Sequence, residues 1–247
     1  MRIYIYKERM ELIKPRVSPE LQNALSQLDK TYFIKSTNNL INHRVFYCNK
    51  WTEENNQAGL NILNLLKKEC THLKESFDKY TLIQLNIINA PPDCNTQLFH
   101  IDYQGDSLSY FVPLVELSDL NGTEYLYFAD PANYTTYFKI LLKMSDEYLD
   151  KPDIIEYLTS KHGLKLGEDF SFKCANSAAY GLLYMPYYVY HRGQKNKTQI
   201  NRLMLNILFS IDNKFDYPVD EYILDSEIDE DARMATILEL RNKMVFN

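Results

Sequence analysis

The sequence predicts a mainly β protein, an antiparallel sandwich or barrel with supporting helices. Three observations carry this. Short apolar runs of strand-forming residues recur after residue 80, turn signals separate them, and helical periodicity is confined to stretches before and between them. The 20 Tyr and 12 Phe against a single Trp agree, because tyrosine suits half-buried pleated surfaces.

The elements follow in order. Met1–Lys7 alternates briefly. Ser18-Pro19-Glu20 supplies an N-cap, a first-turn proline and an acidic residue, so a helix runs from there to about Lys30. Thr52-Glu53-Glu54 is a second helix start. Leu60, Leu63, Leu66, Cys70, Leu73 and Phe77, spaced by three and four, predict one amphipathic helix to about Lys79. Leu82–Ile88 is a strand at least half buried, ended by Ala90-Pro91-Pro92-Asp93. Strands follow at Gln97–Tyr103, Leu108–Leu114 and Glu124–Phe128, with Asn121-Gly122 as a tight turn of positive φ between the last two. Ala129–Asp169 turns polar and helical, punctuated by Pro131 and Pro152, and is expected as an insertion between strands. Strand texture returns at Gly181–Tyr190 and Arg202–Ile211, and the acidic end becomes helical from Ala232 through Met244.

No linker separates the helical start from the strands, so one domain spanning 1–247 is expected. Residues 1–80 would be mostly helical support, 81–128 and 178–211 the β core, 129–177 an insertion serving as lid or substrate wall, and 225–247 a C-terminal helix.

Hydrophobic residues make up 45% and charged residues 24%, enough to bury a full core. A net charge of −6 lacks the basic face that duplex nucleic acid requires; Lys195-Asn196-Lys197 is the only concentrated basic stretch near the candidate site. Cys48, Cys70, Cys94 and Cys174 form no CxxC pair, which sets aside zinc-ribbon and thioredoxin chemistry and favours reduced thiols. No run approaches the length of a signal peptide or a membrane span, and the expectation is a soluble, cytoplasmic protein.

Five histidines are present: His43, His72, His100, His162 and His191. His43 and His162 have no carboxylate near in sequence, and Glu69 and Glu75 beside His72 read as solvated neighbours on a charged helix face. His100 differs. In Phe99-His100-Ile101-Asp102 the His and Asp are two apart in an expected strand, so both leave one face and can share a metal. His191 ends the aromatic run Met185–Tyr190, and Arg202 follows eleven positions later, opposite the apolar set Leu203, Leu205 and Ile207. Two histidines and one carboxylate make the facial triad of non-haem Fe(II) oxygenases, although Mn, Co and Ni accept the same donors. A planar guanidinium nearby matches a carboxylate bidentately.

Gln97–Tyr103, Tyr110-Phe111-Val112-Pro113-Leu114 and Asn121–Leu126, followed by Gly181–Met185, His191–Thr198 and Asn201-Arg202, resemble the central blocks of phytanoyl-CoA dioxygenase-like proteins. These are Fe(II)/2-oxoglutarate oxygenases on a double-stranded β-helix, the jelly-roll or cupin-like core. The resemblance covers roughly 80–128 and 178–211. It implies that His100, Asp102 and His191 bind Fe(II), that Arg202 pairs with the distal carboxylate of 2-oxoglutarate with a further hydrogen bond from Thr198, and that Gln97, Phe111 and Thr123 line the co-substrate pocket. Arg192 either faces an anionic substrate or forms a structural salt bridge. The chain departs from the family at Phe111, where relatives often place Trp, and lacks an Arg-x-Ser pattern after Arg202.

The activity so implied consumes O2 and 2-oxoglutarate, releases succinate and CO2, and hydroxylates a substrate the sequence does not name. A catalytically silent β-helix serving as a binding or scaffold module is the alternative. A cupin-type enzyme using another metal without a keto acid ranks last, since Arg202 would then have no task.

Overall fold

The computed structural model describes residues 11–14, 16–26, 33–35, 45–49, 53–92, 94–102, 107–144 and 149–211. The alternating run at 1–7, His43 and the C-terminal helix expected at 232–244 lie outside these residues.

Ten strands are present among the described residues: β1 (Glu11–Lys14), β2 (Phe33–Lys35), β3 (Val45–Asn49), β4 (Thr81–Ala90), β5 (Ser107–Pro113), β6 (Thr123–Phe128), β7 (Phe170–Ala175), β8 (Leu182–Pro186), β9 (His191–Gly193) and β10 (Arg202–Ser210). They form a seven-stranded sheet in the order β1-β8-β5-β10-β4-β3-β2 and a three-stranded sheet in the order β7-β6-β9. The named pairings are antiparallel. This is the mainly β jelly-roll architecture that the strand pattern and the resemblance predicted.

Side-chain parity along the large sheet explains its place in the molecule. Leu108, Tyr110 and Val112 of β5, Leu182 and Tyr184 of β8, and Leu205, Ile207 and Phe209 of β10 share a core with helices α1 (Pro19–Ser26), α2 (Glu53–Glu69) and α3 (Thr71–Lys79). Phe77 meets Phe209 edge to face at 4.8 Å. The opposite parity, Phe111, Leu183, Met185 and Met204, belongs to a second core shared with the small sheet. A strand covered on both faces reads as a continuous apolar run, and β10 does so.

The single helix expected to Lys79 is two. Cys70 leaves helical geometry at φ −131°, ψ 107°, and a new helix starts at Thr71. The break is tied down from outside: Glu69 accepts Lys14 Nζ at 2.7 Å and the Ser18 backbone N–H at 2.8 Å, while Ser18 Oγ accepts the Leu21 N–H at 3.1 Å as an N-cap. Of the two carboxylates read as solvated neighbours of His72, Glu69 is thus paired, and His72 itself has its Nδ1 2.9 Å from the Tyr110 hydroxyl.

The insertion is helical as expected, with α4 (Ala132–Met144), α5 (Lys151–Glu156) and a π-helical turn at Tyr157–Lys161. Pro131 directly precedes α4, and Pro152 sits in the first turn of α5, where its missing N–H costs nothing. The insertion is shorter than 129–177, however, because Phe170–Ala175 is β7 and pairs with β6 along its whole length. Of the strand expected at Gln97–Tyr103, the described residues 97–102 show bridges from Phe99 to Leu149 and from His100 to His191 and not a continuous strand. Gly181–Tyr190 is also divided. β8 ends at Pro186 in the large sheet, the chain turns, and His191 opens β9 in the small sheet.

Candidate metal centre

Residues directly opposite across a ladder point to the same face. Lys173 of β7 faces Tyr125 of β6, Tyr125 faces His191 of β9, and His191 faces His100. This row lines the inner face of the small sheet, toward the large one. Its sequence neighbours take the outer face. There Phe99 packs on Phe172 at 5.1 Å between centroids, and Arg192 stands over the Phe99 ring at 4.6 Å. Glu124 accepts Arg192 Nε and Lys151 Nζ, each at 2.7 Å. The outer face therefore carries the insertion, and the inner face carries the chemistry.

Each histidine is aimed by the carbonyl two residues before it. His100 Nδ1 lies 2.9 Å from Leu98 O, and His191 Nδ1 lies 3.1 Å from Val189 O. A carbonyl only accepts, so each Nδ1 carries the hydrogen and each Nε2 turns a lone pair inward. Asp102 Oδ1 stands 3.1 Å from His191 Nε2 and 3.9 Å from His100 Nε2. One donor atom from each of the three groups lies within 4.8 Å of the others. Bonds of about 2.1 Å meeting near a right angle put donors about 3 Å apart, so the set fits one first-row metal ion bound on one face.

Ser109 of β5 donates to Asp102 Oδ2 at 3.0 Å and fixes the carboxylate from the large sheet. Burial raises the Asp102 carboxyl, but His191, His100 and Ser109 outweigh it and hold the group at about 2. Burial lowers His191, yet the Asp102 carboxylate and the Val189 carbonyl reverse this and raise it.

Arg202 is 1% exposed. Its Nη1 donates to the carbonyls of Asn121 and Gly122, while its Nε, also buried, has no partner. Desolvation lowers its pKa to about 10. Among the described residues no carboxylate pairs with it, so a surface ion pair is excluded as its role. A buried guanidinium with unused donors fits an incoming carboxylate. Gly122 does not have the positive φ its Asn-Gly context suggested. It is required for closeness instead: a Cβ there would lie 2.4 Å from Cys174 Sγ and 2.8 Å from two backbone oxygens.

The other expected residues divide. Thr123 is buried on the inner face, two residues from Tyr125 toward Arg202, and Phe111 is buried in the core between the sheets. Gln97 Oε1 accepts the Gly193 N–H at 2.9 Å, pinning β9. Thr198 spends its hydroxyl in its own loop, on Asn196 Oδ1 at 2.6 Å and Ile200 O at 3.2 Å, not on Arg202. Of the two roles left open for Arg192, the salt bridge to Glu124 is the one present. Ser109, Glu124 and Tyr125 were missed. Alternation with Phe111 was a signal for Ser109; Glu124 gives none, since its partners are 27 and 68 residues away.

No family model matches the chain, and no curated protein matches its sequence. Solved structures do match in fold. HygX from Streptomyces hygroscopicus, with nickel, 2-oxoglutarate and hygromycin B bound, aligns at a TM-score of 0.53 and 10% identity over 84% of this chain and 85% of that one. SnoK, a non-haem α-ketoglutarate-dependent carbocyclase from nogalamycin biosynthesis, aligns at 0.52 and 10% identity over 83% and 81%. The chain thus has the fold of the non-haem iron, 2-oxoglutarate-dependent enzymes.

Proposed function

We propose that this protein is a non-haem Fe(II)- and 2-oxoglutarate-dependent oxygenase. One observation carries the reading: two imidazole nitrogens and a carboxylate converge as a triad inside the β-helix, with a buried Arg202 beyond them that pairs with no carboxylate among the described residues. His100, Asp102 and His191 would hold the metal and leave its other positions free. Arg202 would take the distal carboxylate of 2-oxoglutarate, with Thr123 and Phe111 beside it. The metal and co-substrate supply the chemistry, coupling O2 reduction and decarboxylation of 2-oxoglutarate to oxidation of a second molecule.

The chain's own residues do the rest. Leu98 and Val189 carbonyls fix the tautomers, Ser109 and the histidines keep Asp102 ionised, and Phe111 adds an apolar wall from the core between the sheets. Hydroxylation of a small molecule or side chain is the expected outcome. The experiment is anaerobic addition of Fe(II) and 2-oxoglutarate, watching for the visible charge-transfer band of an iron–keto acid chelate, then O2 and assay of succinate. A protein that binds metal tightly yet shows neither band nor succinate would support the silent scaffold.

A further inference from the structure

Inner-face parity places a second cation, Lys173, on the same face of the small sheet as the triad, at the end away from Arg202. Along β6, Thr123, Tyr125 and Tyr127 point inward in succession. Arg202 is held by the carbonyls of Asn121 and Gly122, at the Thr123 end. Tyr125 stands level with the metal-ligating row through its pairing with His191. Tyr127 therefore lies on the far side of that row. Lys173, directly opposite Tyr125, leans to this far side and sets its Nζ over the Tyr127 ring at 3.1 Å from the centroid. The lysine is exposed, whereas Arg202 is sealed. Among the described residues no carboxylate pairs with Lys173, and the contact its ammonium makes is with the tyrosine face.

We propose that Lys173, seated on Tyr127, is the specificity-determining residue that receives an anionic group of the oxidised substrate. This rests on the oxygenase reading above and adds the substrate's class: a small organic carboxylate or phosphate ester. The row sets the scale. Strands about 4.8 Å apart put the Lys173 Cα about 10 Å from that of His191, with Tyr125 between them, a separation that a small substrate's carbon framework can span. The two cations divide two anions between them. Buried Arg202 suits a co-substrate carboxylate that stays dry, and exposed Lys173 suits a group arriving from water. A lysine on an edge strand also discourages strand-to-strand association, and β7 is such an edge. That role requires no preference among small ligands, which is what the test reads.

The experiment uses the full chain loaded with Mn(II), with N-oxalylglycine added to fill the Arg202 end. Paramagnetic broadening of probe protons reports binding near the metal, with the Zn(II) protein as the diamagnetic control. Three matched pairs are compared: octanoate with octanamide, 4-phenylbutyrate with 4-phenylbutanamide, and glucose 6-phosphate with methyl glucoside. The expected result is that in at least one pair the anion binds about tenfold or more tightly than its neutral partner. Lys173→Met and Lys173→Gln bring that ratio to within twofold, and Lys173→Arg restores it. No anion preference in any pair, or a preference that survives Lys173→Met, overturns the proposal. Mn(II) and N-oxalylglycine binding are measured first on the wild-type protein. Failure there overturns the oxygenase reading itself and is seen before any probe is added.

Discussion

His191 Nε2 lies 3.1 Å from Asp102 Oδ1 although the two residues are 89 positions apart and reach each other from different segments of the chain. The contact is the hinge of the candidate site, because either a proton or a metal ion can sit between these atoms, and not both at once. Asp102→Asn keeps the shape and removes the charge. Mn(II) affinity, followed by electron paramagnetic resonance, should fall more than a hundredfold, beyond the roughly 10–100-fold typical of losing a supporting residue. Affinity within tenfold of wild type would remove Asp102 from the donor set.

The same contact dictates a pH dependence. His191 is raised by Asp102, so in the metal-free protein its stabilising effect is present below the unfolded value of about 6.5 and fades as pH rises through its folded value. Asp102 is depressed, so its contribution is present above about 3.8 and is lost as pH falls toward 2. Metal needs the neutral imidazole. Metal-induced stabilisation, read by thermal melts with and without Mn(II), should therefore grow as pH rises through the His191 range. Stabilisation independent of pH would contradict competition between proton and metal at this nitrogen.

Ser109→Ala removes the hydrogen bond that β5 of the large sheet gives Asp102. The donors all remain, so metal affinity should fall by about tenfold and no more than about a hundredfold. Isothermal titration with Mn(II) would check this, and an unchanged affinity would make the contact incidental.

Arg202→Lys keeps the charge and loses the planar fork. Because the expected ligand is a carboxylate met in a dry setting, 2-oxoglutarate affinity should fall at least about thirtyfold, on the order of 2 kcal/mol, while Mn(II) affinity holds. Equal losses of both would point to a general collapse of the pocket.

Gly122→Ala forces a methyl group against Cys174 Sγ and two backbone oxygens. Over-packing of this kind costs about 1–3 kcal/mol. The urea midpoint should drop, and 2-oxoglutarate binding should weaken with it, since the Gly122 and Asn121 carbonyls hold Arg202.

The sequence made legible whatever is local. His100 and Asp102, two apart, declare a shared face, and Arg202 before the alternating Leu203, Leu205 and Ile207 declares the opposite one. Both survive in the structure even though His100 lies in an isolated bridge and Asp102 in the bend after it, because neighbouring backbone parity outlasts regular pairing. What stayed hidden depends on distant partners. The end of α2 at Cys70 follows from Lys14 and Ser18 holding Glu69, more than 50 residues away. Gly122 was legible as a special residue but for the wrong reason, since its constraint comes from Cys174 across the sheet. Thr198 showed the reverse failure: its type and position suited a ligand, yet its own loop had the first claim on the hydroxyl.

Along β9 and its flanks the residues facing the candidate metal site alternate with residues facing the insertion, His191 with Arg192 and His100 with Phe99. This parity restricts how the protein can be inherited. A gain or loss of one residue next to these segments would turn Arg192 and Phe99 inward and the histidines out, and no compensating substitution nearby could restore the triad. Within α4 and α5 no strand register has to be kept, although Leu149 between them bridges Phe99, so it is the helices whose length is free to drift. Lineages carrying this fold should therefore differ by insertions in the helices, while the strand phase around His100 and His191 passes unchanged from one to the next.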